Sequence, residues 1–221
     1  MAVVGFVITV DGPAGAGKSS VAKRVAKRLG IRYLDTGAMY RAIAYTLDKK
    51  GVAPAENGEL TRSVASLVVR LEGQGIFVND ENVTESIRSY RVDRVVSGYA
   101  ALKTVRNALL NLQREQAEYG DLIADGRDTG TVVFPEADLK FFLTASPEAR
   151  AERRYKELLR KGEAVLYKEV LTQIHERDRA DSNREVAPLR EPVEAIRLDT
   201  SSMAEDEVVN ELAFIIQSRM A

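Results

Sequence analysis

Nine residues constrain this chain more than any other stretch. Gly12-Pro13-Ala14-Gly15-Ala16-Gly17-Lys18-Ser19, with Ser20 behind, satisfies the pattern G-x-x-x-x-G-K-[ST]. The run before it, residues 5–10, is apolar (Phe6, Val7, Ile8, Val10) and predicts a strand buried on both faces. The run after it predicts a helix over 18–29, with Val21, Ala22, Val25, Ala26 and Leu29 on one face and Gly30 as its stop. In that setting the glycines let backbone N–H groups turn inward around a phosphate, and the helix N-terminus adds its positive end. Lys18 then reaches the β- and γ-phosphates of a nucleotide, and the Ser19 hydroxyl can ligate Mg²⁺. The alternative is an ordinary glycine-rich turn with an exposed lysine; the flanking strand and helix favour the phosphate loop.

The rest of the chain alternates strands and helices. A strand is expected at 31–34, then a helix N-capped by Thr36 and running to 49. After a loop at 54–58, short strand-like runs at 68–71 and 76–78, with a weaker third near Val83, predict a small antiparallel meander. Helices are expected at 91–102 and 105–119, and buried strands at 122–124 and 139–143. Ser146-Pro147 opens a helix at about 148–161. A second charged helix is expected over 165–179, a last strand over 195–198, and a capping box Ser202 to Glu205 before a final amphipathic helix. This order predicts an α/β fold, a parallel sheet with helices on both faces.

Composition removes whole classes of function. The chain of 221 residues has no cysteine and one histidine, which excludes disulfides, thiol catalysis and any multi-histidine metal site. Lys plus Arg (32) balance Asp plus Glu (33), so no global basic field exists to attract nucleic acid or an anionic membrane. The longest apolar stretch, from Val3 to Val10, is too short to span a bilayer and lacks the basic lead-in of a signal peptide. A cytoplasmic location is the expectation, with neither nucleic acid nor membrane as partner.

A bound nucleotide's terminal phosphate needs a destination. No N-K-x-D segment of the guanine-reading kind is present. The apolar run Leu122-Ile123-Ala124 ends in Asp125, which can hold Mg²⁺ through water, but no second carboxylate adjoins it to activate a nucleophile. Arginines recur in loops and at helix starts: Arg41, Arg106, Arg127, Arg150, Arg153, Arg154, Arg177, Arg179 and Arg184. Any one of them alone is most simply a solvated surface charge. Arg127, just past the carboxyl end of a buried strand, sits where open α/β sheets place their ligands. Together these features predict phosphoryl transfer to another anion, catalysed by positioning and charge neutralisation.

Four stretches carry a more specific resemblance: Ile8-Thr9-Val10-Asp11-Gly12-Pro13, Leu34-Asp35-Thr36-Gly37-Ala38-Met39-Tyr40-Arg41, the run 123–135 containing Asp125-Gly126-Arg127-Asp128-Thr129-Gly130, and Arg177-Asp178-Arg179-Ala180-Asp181-Ser182-Asn183-Arg184. The chain resembles the bacterial cytidylate kinases nearly end to end. The resemblance implies a five-stranded parallel P-loop core (1–36, 105–147 and 191–221), an inserted nucleoside-monophosphate-binding part (37–104) holding the meander, and a short lid (148–190). It implies ATP as co-substrate with Mg²⁺, CMP and dCMP as acceptors, and a monomer. Arg41 and Arg127 would hold the acceptor phosphate. Thr36, Arg106, Asp128 and Arg184 would face the cytosine, and Ser97, Arg177 and Asp181 would lie near the ribose. Arg153 and Arg154 would close over the transferring group, and Lys18 and Arg127 would act in catalysis. Bacterial members often have Ser where this chain has Thr36; both offer a hydroxyl.

The residue chemistry agrees with cytosine. A carboxylate and a hydroxyl accept from the N4 amino group, while arginines donate to N3 and O2. Uracil would set its O4 acceptor against the Asp128 carboxylate. Tyr40 either lines this pocket or packs in the core, and His175 is expected on a solvent-facing helix surface. Arg177 and Asp181, four apart on a helix, are either a surface ion pair or part of the sugar site.

Overall fold

A computed structural model describes residues 5–73 and 75–220. Val3 and Val4, which begin the apolar stretch, lie outside the described residues. The chain divides into two compact units, one of residues 1–34 with 116–221 and one of residues 35–115.

The first unit is built around β1 (Val7–Asp11), buried at every position. It pairs in parallel with β6 (Leu122–Asp125) on one edge and β7 (Leu139–Thr144) on the other. With β2 (Arg32–Asp35) and β8 (Ile196–Asp199) at the edges, the sheet has the order β2-β6-β1-β7-β8. This is the expected five-stranded parallel sheet. From β1 the chain goes to β2 on one side, and later it crosses from β6 to β7 on the other, so the carboxyl end of β1 lies at the switch point where such sheets bind ligands.

The helix α1 (Lys18–Leu29) spans the expected residues and ends on Gly30, whose φ of 70° suits a residue without Cβ. Its Val21, Ala22, Val25 and Ala26 pack with Val208, Val209, Leu212 and Ile216 of α8 (Glu205–Met220) around Ile8, Val10, Phe141 and Leu143. The start of α8 differs from expectation. Ser201 N–H donates to Asp199 in a turn, so the helix begins at Glu205, and Glu207 rather than Glu205 reaches back, accepting from Ala204 N–H at 2.8 Å. In α6 (Pro147–Arg160) the Ser146 hydroxyl accepts from Ala149 N–H as its sequence predicts. α7 (Tyr167–Asn183) runs four residues past the expected end, because Asp181 continues the buried face of Val170 and Ile174.

In the second unit the cap of α2 (Thr36–Lys49) is Asp35, whose carboxylate accepts from Ala38 N–H at 2.8 Å. Thr36 is therefore the first helical residue and not the cap, and it is buried. A helix absent from the sequence reading, α3 (Gly58–Ala65), is capped by Asn57 and buries only Leu60 and Val64, too little apolar pattern to stand out. The meander is present as β3 (Val69–Glu72), β4 (Gly75–Val78) and β5 (Glu81–Asn82) in an antiparallel sheet. Its third strand lies just before Val83, whose N–H still donates to Ile76. α4 (Tyr90–Ala100) and α5 (Lys103–Glu115) complete the unit, and a 3₁₀ turn at Gln116–Tyr119 takes the rest of the expected second helix. Leu109 on α5 is fully buried, and α5 packs on α2 and α3. No helix among the described residues is long and apolar enough to cross a membrane.

Candidate active site

The loop from Gly12 to Ser19 leaves β1 at the switch point. Gly12 has φ 143°, and a Cβ there would stand 1.9 Å from the Leu143 carbonyl oxygen, so only glycine fits. Three of the loop's carbonyls are occupied by side chains. Pro13 accepts from Lys18 Nζ at 2.7 Å, Ala14 from Arg150 at 3.1 Å and Ala16 from the Thr200 hydroxyl at 3.3 Å. With those acceptors committed, the loop's peptide N–H groups are what it offers an anion. Ser19 and Ser20 are exposed at the start of α1.

Lys18 is 5% exposed and is not the exposed lysine of an ordinary glycine-rich turn, because its stem lies back over the loop. Burial, with the neighbouring Arg127 cation, pushes its ammonium well below the usual lysine range, while Asp125 and Asp11 pull the other way. A triphosphate against the loop would pull it back up.

Beside the loop, Asp125 at the end of β6 is buried and doubly held. Ser19 Oγ donates to its Oδ2 at 2.6 Å and Tyr33 Oη to its Oδ1 at 2.7 Å. A hydroxyl and a carboxylate in contact form a hard oxygen donor set that fits Mg²⁺ held mainly by phosphates and water.

The residues after Asp125 carry the arginine pairs. Arg127 Nε donates to Asp181 Oδ2 at 2.9 Å, and Arg184 donates to Asp128 Oδ1 at 3.1 Å with both side chains under 10% exposed. Asp181 is itself buried. Burial pushes its carboxyl up, but Arg127, Arg177 and Arg184 outweigh this and hold it below the usual range. Asp181 is therefore not an exposed surface charge. Asp128 heads a π-type turn (Thr129–Val133) whose Val132 N–H closes on the Asp128 carbonyl. The turn's first two residues are fastened to β1: Thr129 N–H and hydroxyl donate to Asp11 Oδ1 at 2.9 and 2.7 Å, and Gly130 N–H to Oδ2 at 2.7 Å.

On α6, Arg153 donates to the hydroxyl of Thr200 at 3.1 Å and to its carbonyl, while Arg154 pairs with Glu157 at 2.7 Å along its own helix. Arg150 is 3% exposed and makes a two-pronged pair with Asp178 at 2.6 and 2.9 Å. Arg177 is half-buried on α7, and His175 on the same helix is exposed, as expected.

In the second unit, the Arg106 guanidinium lies over the Tyr40 ring, 5.2 Å from its centroid, and donates to the Ala100 carbonyl at 3.1 Å. Both side chains are buried, as is Thr36. Arg41, one residue after Tyr40 on α2, pairs with Asp93 of α4, and Ser97 lies half-buried one helical turn beyond Asp93.

The sequence reading gave no role to Asp11, Tyr33, Asp93, Asp178 or Thr200, and named Arg150 only among the recurring arginines. Two had a signal. Asp11 is a charge ending an apolar strand, and Arg150 falls on the same helical stripe as Ala151 and Leu158. The other four are polar residues in ordinary positions, and only contacts reveal them.

A parallel sheet with the phosphate loop at its switch point and an acidic strand end beside it defines a P-loop nucleotide-binding fold. A solved structure of an uncharacterized protein from Eubacterium ventriosum ATCC 27560 shares this fold at a TM-score of 0.52 and 13% identity, over 96% of this chain and 98% of that one. The family model for cytidylate kinase matches residues 8–218. The chain is 45% identical over 212 residues to a cytidylate kinase of Clostridium tetani (strain Massachusetts / E88), covering 96% of this chain and 94% of that protein. It is 46% identical over 213 residues to one of Carboxydothermus hydrogenoformans (strain ATCC BAA-161 / DSM 6008 / Z-2901), covering 95% and 96%. This chain belongs to the cytidylate kinase family.

Proposed function

We propose that this protein transfers the γ-phosphoryl group of ATP to CMP, and also to dCMP, giving ADP and the diphosphate. The observation that carries the reading is the run Asp125-Gly126-Arg127-Asp128 beside the phosphate loop, in a chain of this family. It sets a metal-side carboxylate, a phosphate-binding arginine and a base-reading carboxylate within four residues.

In this reading the loop from Gly12 to Ser19 and Lys18 hold the β- and γ-phosphates. Ser19, and Asp125 through water, hold Mg²⁺, which when bound neutralises charge on the phosphate oxygens. Arg41 and Arg127 hold the acceptor phosphate. One of its oxygens attacks the γ-phosphorus as the bond to the β-phosphate oxygen breaks, and ADP leaves. Such transfer needs little base catalysis, so positioning and cations carry the rate. Arg153 and Arg154 serve the transferring group as the lid, residues 148–190, closes and excludes water. Asp128 accepts from cytosine N4, with Thr36, Arg106 and Arg184 completing the base site and Tyr40 beneath Arg106. Ser97, Arg177 and Asp181 serve the ribose. The protein acts as a monomer in the cytoplasm, in pyrimidine nucleotide metabolism.

The test is ADP release by purified protein with Mg²⁺ and ATP, with CMP, dCMP, UMP, AMP or no acceptor. Release that depends on CMP and dCMP and is weak with UMP and AMP is expected. Release at one rate regardless of acceptor would refute the reading.

A further inference from the structure

Asp11 is a fully buried carboxylate whose two oxygens receive three donors, all from Thr129 and Gly130. Its position is unusual in two respects. It is the last residue of β1, directly before the phosphate loop, and its partners are the two residues directly after Asp128. The turn it holds is closed on Asp128 itself, whose carbonyl accepts from Val132 and Val133 N–H. Gly130 has no room for a side chain, because a Cβ would stand 2.7 Å from Thr9 Oγ1 and 3.2 Å from Asp11 Oδ2. The contact is thus a close backbone-to-carboxylate clamp across 118 and 119 residues of sequence.

We propose that Asp11 is a positioning residue for acceptor recognition: by clamping Thr129 and Gly130 to the strand that carries the phosphate loop, it sets where Arg127 and Asp128 present their side chains. The inference rests on the proposed CMP acceptor role of those two residues. Its chemistry is specific. Each of its two oxygens takes a backbone N–H, Oδ1 that of Thr129 and Oδ2 that of Gly130, so both positions must accept, as the two oxygens of a carboxyl group can. An amide at this place would turn an NH₂ toward Gly130 or Thr129 N–H, donor against donor, and the turn would shift.

Two variants separate positioning from plain structural support. Asp11→Asn replaces one acceptor with a donor. Thr129→Val removes only the hydroxyl donor and leaves the Asp11 charge beside Lys18 in place, while Thr129→Ser is its conservative counterpart. Steady-state constants are measured for CMP, UMP and Mg·ATP with each, beside wild type. Asp11→Asn is expected to raise the KM for CMP about ten-fold or more and to narrow the CMP over UMP preference, as a lost buried polar contact does. Thr129→Val raises the CMP KM less, and Thr129→Ser restores it. The KM for Mg·ATP stays within about two-fold throughout. A merely structural role would lower the active fraction, and hence kcat, with both KM values unchanged. That outcome overturns the proposal, as does a joint rise of both constants. Should Asp11→Asn fail to fold, Thr129→Val against Thr129→Ser decides the matter. The wild-type arm tests the CMP reading itself: CMP-dependent turnover there, with unaltered CMP constants in the variants, refutes Asp11 alone.

Discussion

Replacing Arg150 with methionine tests how much of the phosphate loop's order is held from outside it. The guanidinium gives four hydrogen bonds: two to Asp178 at 2.6 and 2.9 Å, one to the Ala145 carbonyl at 2.9 Å and one to the Ala14 carbonyl at 3.1 Å. Methionine keeps most of the stem's volume and removes the cation. Breaking a sealed ion pair costs about 3–5 kcal/mol. The Asp178 side chain is 26% exposed and can take up water, which moves its share down to about 2 kcal/mol. The two carbonyls that lose a donor add about 1 kcal/mol together, Ala14 being able to move. The expected loss is therefore about 3 kcal/mol, or about 6–12 °C in Tm for a chain of this size. Urea unfolding of the ligand-free protein measures it. In a double-mutant cycle, Arg150→Met with Asp178→Leu is expected to recover about half of the loss, because no charge is then left without its partner. Release of the Ala14 carbonyl also loosens the loop, so the KM for Mg·ATP rises. A loss below about 1 kcal/mol, or single and double variants that simply add, would show that Arg150 is only a helix-opening surface charge.

Three further outcomes are expected. Lys18→Met lowers turnover by about two to four orders of magnitude, as loss of a phosphate clamp does, without lowering stability, since a buried and disfavoured cation is removed. Because Lys18 is depressed in the folded state, the unfolded chain binds more protons between the folded and ordinary lysine values, and wild-type stability rises with pH across that window relative to Lys18→Met; parallel urea titrations from neutral to alkaline pH check the slope. Asp128→Asn weakens CMP use and narrows the CMP over UMP preference, and an unchanged preference in competition assays would mean that Asp128 does not read N4. Asp181→Ala raises the KM for CMP, and for dCMP to a different degree if the 2′-hydroxyl is its partner, with Mg·ATP nearly unaffected. Its carboxyl is held low in the fold, so its stabilising share is present above the ordinary aspartate value and is lost as pH falls through the folded one; acid unfolding of wild type against variant measures it.

Much of the architecture was readable because its signals are local. The helix at Lys18–Leu29 has a full apolar stripe and a glycine stop, and Ser146-Pro147 marks a helix start by chemistry that acts within one turn. The helix Gly58–Ala65 was not readable, since two buried side chains make no stripe. The cap of α2 moved from Thr36 to Asp35 because a competing acceptor lay adjacent in sequence, and only the chain's direction into the helix chooses between them.

The sequence by itself determined the class of site: the spacing of Gly12, Gly15, Gly17, Lys18 and Ser19 is that of a phosphate loop, a turn whose pattern is set by residues close together in the chain. It also excluded thiol catalysis and a multi-histidine metal site, because the chain holds no cysteine and one histidine. Only the tertiary structure decided which charges pair. Arg127 meets Asp181 across 54 residues, Arg184 meets Asp128 across 56, and Arg150 meets Asp178 across 28. The buried carboxylate of Asp11 finds Thr129 only because β1 and β6 lie side by side. A salt bridge or a clamp is a property of two positions, and in a parallel sheet the chain brings them together through crossovers whose length no local pattern records.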